Sequence, residues 1–132
     1  MDEVAAFEQA VLAQAPPGAL LVGASISPDG ESGAALTLHP DTHYPMDDVF
    51  VREGARWELR SGGGGDGIGW SWLGPDEDVG VLRFSGGAPA DATAALVTLQ
   101  GVQHRVPVRH DHFLFVAWNV TSDAQPRLDG FE

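Results

Sequence analysis

The sequence predicts an all-β fold, a β-sandwich or a partly open barrel, behind a single N-terminal helix. Two observations carry the prediction. From Leu20 onward, short apolar or alternating stretches recur at near-regular spacing, separated by clusters of Gly, Pro and Asp. Only residues 2–14 place apolar side chains at helical intervals. The expected layout is a helix over residues 1–15, a β-domain over 19–121 and a tail over 122–132.

In the helix, Val4, Phe7 and Val11 form one stripe with Leu12 beside it. Asp2 suits the cap position, and Asp2 and Glu3 suit the positive end of the helix dipole. Pro16-Pro17-Gly18 stops the helix. At about three turns it is too short to stand alone, so Phe7, Val11 and Leu12 are expected to dock on the β-domain.

The first strand runs from Leu20 to Ile26 and ends at Pro28-Asp29-Gly30. Ala34 to His39 is the second. Val49 to Arg52 and Arg56 to Arg60 flank Glu53-Gly54-Ala55 as a hairpin, with Trp57 and Leu59 expected inward. Five glycines between Ser61 and Gly67, with Asp66 among them, read as a flexible loop. Ile68 to Leu73 follows, with Ile68, Trp70 and Trp72 on one face. That stripe reads as core, with an exposed platform as the alternative that its small neighbours leave open. Val79 to Phe84 comes next, and Ala94 to Leu99, Val102 to Val108 and Phe113 to Trp118 then form a meander. Phe113 to Trp118 is apolar on both faces and reads as a central strand. Pro107 cannot donate to a ladder, so its strand is expected to be open along one edge there. Ser122 to Glu132 shows no periodicity.

Composition narrows the functions. The chain of 132 residues has no cysteine, which excludes disulfide scaffolds, thiol nucleophiles, zinc ribbons and iron–sulfur ligation. It has 19 acids against seven arginines, no lysine, and a net charge of −12. That charge repels phosphate backbones and anionic lipid heads, so neither nucleic acid nor a membrane is an expected partner. Abundant Ala, Gly and Pro without lysine resembles the usage of high-GC bacterial genomes. The acidic N-terminus does not fit a secretory signal, and the apolar run from Ala19 to Ala24 is too short to cross a bilayer, so a cytoplasmic protein is expected.

No catalytic motif survives its structural requirement. Gly62, Gly64 and Gly67 satisfy G-x-G-x-x-G, but a dinucleotide site needs a helix directly afterwards, and Ile68-Gly69-Trp70-Ser71-Trp72 alternates like a strand. Ser25 and Ser71 lack the closing glycine and following helix of a nucleophile elbow. The histidines are the remaining polar set. His39 and His43 lie near Asp47 and Asp48, and Pro40 and Pro45 exclude a shared helix face. His110 and His112 flank Asp111 and would point to one side of an extended segment. Imidazoles with a carboxylate could hold zinc, iron or manganese, but no spacing matches an established ligand pattern. His104 is in phase with Val102, Val106 and Val108 and reads as a hydrogen-bonded core histidine.

The segment from Leu96 to Trp118 has a distinct order: strand, Gln100-Gly101 turn, strand with Val106-Pro107-Val108, short polar turn, apolar strand ending in Trp118. In this it resembles small immunoglobulin-like modules of uncharacterised actinobacterial-type proteins. The resemblance covers about a fifth of the chain and implies fold alone: an immunoglobulin-like β-sandwich. The expected function is a non-catalytic binding or assembly module without a cofactor. The alternatives are a metal-dependent enzyme or metal-binding protein using His39, His43, His110 and His112, and a homo-oligomer built through the strand at Pro107 or the tail. The expected contact surface is Trp70, Trp72, Asp76, Glu77 and Asp78. Aromatics beside an acidic rim suit a cationic or amphipathic protein or peptide.

Overall fold

The computed structural model describes residues 2–65 and 67–132; Met1 and Asp66, the acid of the expected glycine loop, lie outside the described residues. The chain is all-β with one N-terminal helix, as expected, and its strands form two antiparallel sheets. It divides into two compact units, Met1–Asp66 and Gly67–Glu132, with the boundary inside the glycine-rich segment.

The first unit holds α1 (Glu3–Gln14), β1 (Leu20–Ile26), β2 (Ser32–Leu38), β3 (Pro45–Glu53) and β4 (Arg56–Gly64). The strands form a meander in the order β1-β2-β3-β4. Asp2 caps α1 by accepting a hydrogen bond from the Ala5 amide at 2.7 Å. Phe7 and Val11 are fully buried and pack with Ala35, Phe50 and Trp57. The Phe7 ring meets Phe50 edge-on at 5.6 Å and Trp57 at 4.6 Å between centroids. The Gln14 amide donates to the Trp57 carbonyl at 2.8 Å, and Arg52 pairs with Glu3 at 3.2 Å while lying over the Trp57 ring.

Three expectations fail in this unit. Leu12 does not dock: it and Val4 stay exposed, because Leu12 lies about 100° round the axis from Val11. Leu59 shares strand parity with Trp57 but is 55% exposed. Just beyond Leu59 a bulge breaks the β3–β4 ladder, where Val49 pairs with Ser61 and Phe50 with Leu59. The expected loop at Gly62–Gly64 is instead the end of β4, paired with Met46–Asp48.

The second unit holds β5 (Gly69–Asp76), β6 (Val79–Gly87), β7 (Ala94–Leu99), β8 (Val102–Arg109), β9 (His112–Val120) and β10 (Arg127–Phe131). They form a half-barrel sheet in the order β10-β7-β8-β9-β6-β5. Its core gathers Leu82, Phe84, Phe113 and Phe115 with Ala95, Val97, Leu99 and Val106. β9 is interior to this order, as its apolar faces predict. β8 pairs with β7 from Val102 to Pro107 but with β9 only through Val108–Phe113 and Arg109–His112. The Val108 amide donates to the Thr93 carbonyl on the β7 side, so position 107 faces β9 by alternation. Proline has no N–H to give there, and the ladder stops.

The tail also differs from expectation, since Arg127–Phe131 adds to β7 as the outermost strand on that side.

Candidate functional site

β5 is the last strand of the six-stranded sheet and pairs on one side with β6. Trp70 is paired with Phe84, and Trp72 with Leu82. Phe84 and Leu82 are core residues, so both indoles stand on the core side of the sheet. Their environments nevertheless differ. The Trp72 indole N–H donates to the Val120 carbonyl at 3.1 Å, and its ring fills space left by two glycines. A Cβ at Gly80 would stand 2.4 Å from the ring, and one at Gly74 2.8 Å from it. Trp72 is therefore a packing residue. Trp70 touches Phe84 edge-on at 6.3 Å and is 49% exposed, on the last strand of its sheet. Ile68 is 52% exposed and rests on Gly86. The expected core stripe thus holds for Trp72 in part and fails for Ile68 and Trp70.

Asp76, Glu77 and Asp78 form the tip of the β5–β6 hairpin and are exposed. The Asp76 carboxylate accepts the Asp78 amide at 2.9 Å, and the Glu77 carbonyl accepts the Ser122 amide at 2.8 Å. The backbone of the tip is fixed, while its three carboxylates have no cationic partner among the described residues. A bulge between Leu73 and Asp76, together with Pro75, ends the regular edge. From Trp70 to Asp76 is six strand residues, roughly 20 Å.

The histidines occupy turns, the first residue of β9 and an exposed position on β8. His39 accepts the Asp41 amide on Nδ1 at 3.1 Å, and the His43 amide donates to the His39 carbonyl at 2.9 Å, which makes the first pair a turn. His110 and Asp111 both have positive φ, 53° and 59°, so the second pair is not in an extended segment and the shared-side expectation lapses. His112 donates from Nδ1 to the His110 carbonyl at 2.8 Å. Among the described residues no three His, Cys, Asp or Glu side chains are grouped to hold a metal. His104 is exposed rather than core, with its ring 4.9 Å from that of Phe115. β8 has already left β9 at that point, so the correct alternation runs out into solvent.

Ser25 and Ser71 lie inside β1 and β5, without the strand-to-helix turn that an activated serine needs. Gly62, Gly64 and Gly67 precede β5, not a helix.

One polar cluster had no counterpart in the sequence reading. The Asp129 carboxylate on β10 accepts from the Thr98 hydroxyl on β7, from the Gln103 amide on β8 at 2.9 Å and from the Arg127 guanidinium at 2.7 Å. These bonds, led by the Thr98 hydroxyl, lower its pKa to about 2. They tie three strands together on an exposed face. A signal for it is absent from the sequence because Asp129 is a bulged residue.

No described helix is long and apolar enough to cross a membrane. Comparisons with protein-family models, with curated proteins and with solved structures return no match.

Proposed function

We propose that this chain is a non-catalytic binding module that takes up an extended, amphipathic partner segment along the open edge of β5. The observation that carries this is Trp70: a large aromatic on the core side of a sheet, 49% exposed on the last strand. A strand added to an open edge gains main-chain hydrogen bonds along the ladder and reads side chains at alternate positions. It would also cover the open half of the indole. About 100 Å² of apolar surface is at stake, roughly 2.5 kcal/mol at 25 cal/mol/Å². Ser25 and Ser71, the serines nearest to a nucleophile motif, lie within ladders, and the chain has no cysteine.

Display selection of extended peptides with alternating apolar and polar residues supplies the test. Peptides selected on the wild type are titrated against Trp70→Lys, since an edge lysine is a common natural block to strand pairing. The expected result is at least tenfold weaker binding, measured where both proteins are fully folded, since the half of the indole that packs on Phe84 is also lost and the unfolding midpoint should fall. Peptides that bind Trp70→Lys as tightly as the wild type place the site elsewhere.

A further inference from the structure

We infer that the partner segment docks antiparallel to β5 and carries arginine or lysine at its N-terminal end, over Asp76, Glu77 and Asp78; this rests on the binding reading just given. Three observations converge on it. The carboxylates of the β5–β6 tip are exposed and lack a cationic partner among the described residues. They lie at the C-terminal end of the strand whose core-side indole is open. Trp70 and Asp76 stand six residues apart on one strand, a span of roughly 20 Å that an extended segment covers and one small molecule does not.

The direction follows from the sheet. All pairings in both units are antiparallel, and antiparallel ladders are slightly the more stable per residue. An antiparallel partner passes Asp76 with its own N-terminal part. The bulge after Leu73 and Pro75 confine the ladder to Gly69–Leu73, so the contact with the tip is made by side chains alone. Long, flexible cations fit that gap. A second copy of this chain is the weaker occupant, because each copy carries a net charge of −12.

The probe is a labelled nine-residue peptide: two arginines, two serines, then five residues alternating valine and threonine. Its controls are the same peptide with both arginines replaced by glutamine, and the same composition with the arginines at the C-terminal end. Exposed ion pairs of this kind contribute modestly, so the N-terminal arginine peptide is expected to bind about fivefold to tenfold more tightly than either control. The advantage should shrink as salt rises. It should vanish with Asp76→Asn, Glu77→Gln and Asp78→Asn combined, which keep the acceptor that the Asp78 amide uses. Equal binding by all three peptides overturns the inference and leaves strand docking standing. Tighter binding of the reversed peptide overturns the polarity. If no peptide binds, strand docking on β5 falls as well. Sedimentation showing that the wild type self-associates, and that the triple substitution abolishes this, would make the second copy the occupant and overturn the inference.

Discussion

Replacing Gly33 by alanine should unseat α1. A Cβ at this position would lie 2.4, 2.6 and 2.9 Å from three carbons of the Phe7 ring, against the 3.5–4.0 Å of ordinary carbon contact. The ring has to move by about 1 Å, and it has little room to do so. Phe7 is fully buried, edge-on to Phe50 and 4.6 Å from Trp57. Overpacking of this kind costs about 1–3 kcal/mol. Urea denaturation followed by tryptophan fluorescence reads it directly, and with m near 1–3 kcal/mol/M the midpoint should fall by roughly 1 M. Phe7→Ala alone should cost about 3–5 kcal/mol. In that background Gly33→Ala should be close to neutral, because the atoms it would strike are gone. The two substitutions are thus expected to couple by about 2 kcal/mol. Additive effects, or a Gly33→Ala midpoint equal to the wild type, would show that the ring is not seated on that glycine.

Other outcomes follow from the same contacts. Gly80→Ala drives a Cβ into the Trp72 ring and should lower stability by about 1–3 kcal/mol, measurable as a shifted thermal midpoint. Asp2→Ala removes the acceptor for the Ala5 amide and should cost about 1 kcal/mol by the same assay, whereas Asp2→Asn should be nearly silent. Asp129 has its folded pKa depressed to about 2, so its contribution is present above the ordinary carboxylate range near 3.9 and is lost as pH falls through about 2. Melting the wild type and Asp129→Asn from pH 5 to pH 2 should show the wild type losing an advantage that the variant never has; parallel curves would refute the assignment.

Local pattern predicted element type well and neighbour relations poorly. Leu20–Ile26 and Ala94–Leu99 were legible to the residue, since apolar runs bounded by turn chemistry need no tertiary information. β10 was not, although Leu128 and Phe131 both pack against the core. They are three apart, and a bulge at Asp129, with Gly130 at φ 150°, restores the phase that a period-2 reading looks for. For the candidate site, alternation placed Trp70 and Trp72 on one face. It could not show that β5 is an edge, because that depends on β6 pairing with β9 across the intervening β7–β8 hairpin. The seat of Trp72 was hidden for the same reason: Gly80 and Gly74 meet its ring only once the β5–β6 register is set.

The connectivity of the two sheets also sets a timetable for folding. Every pairing in Met1–Asp66 joins neighbours in sequence, β1 with β2, β2 with β3 and β3 with β4. Such short-range ladders close quickly and need nothing downstream. The other sheet waits: β6 must find β9 over two intervening strands, and β7 is covered only when β10 arrives. At a synthesis rate of about 5–20 residues per second, the first meander has several seconds in which to form before the last strand leaves the ribosome. From its own synthesis until β10 follows, Ala94–Leu99, whose alternate residues belong to the core, is an uncovered apolar edge of the kind that recruits foreign strands. The five residues of β10 act as its guard, and a chain stopped before Arg127 should aggregate as it is made.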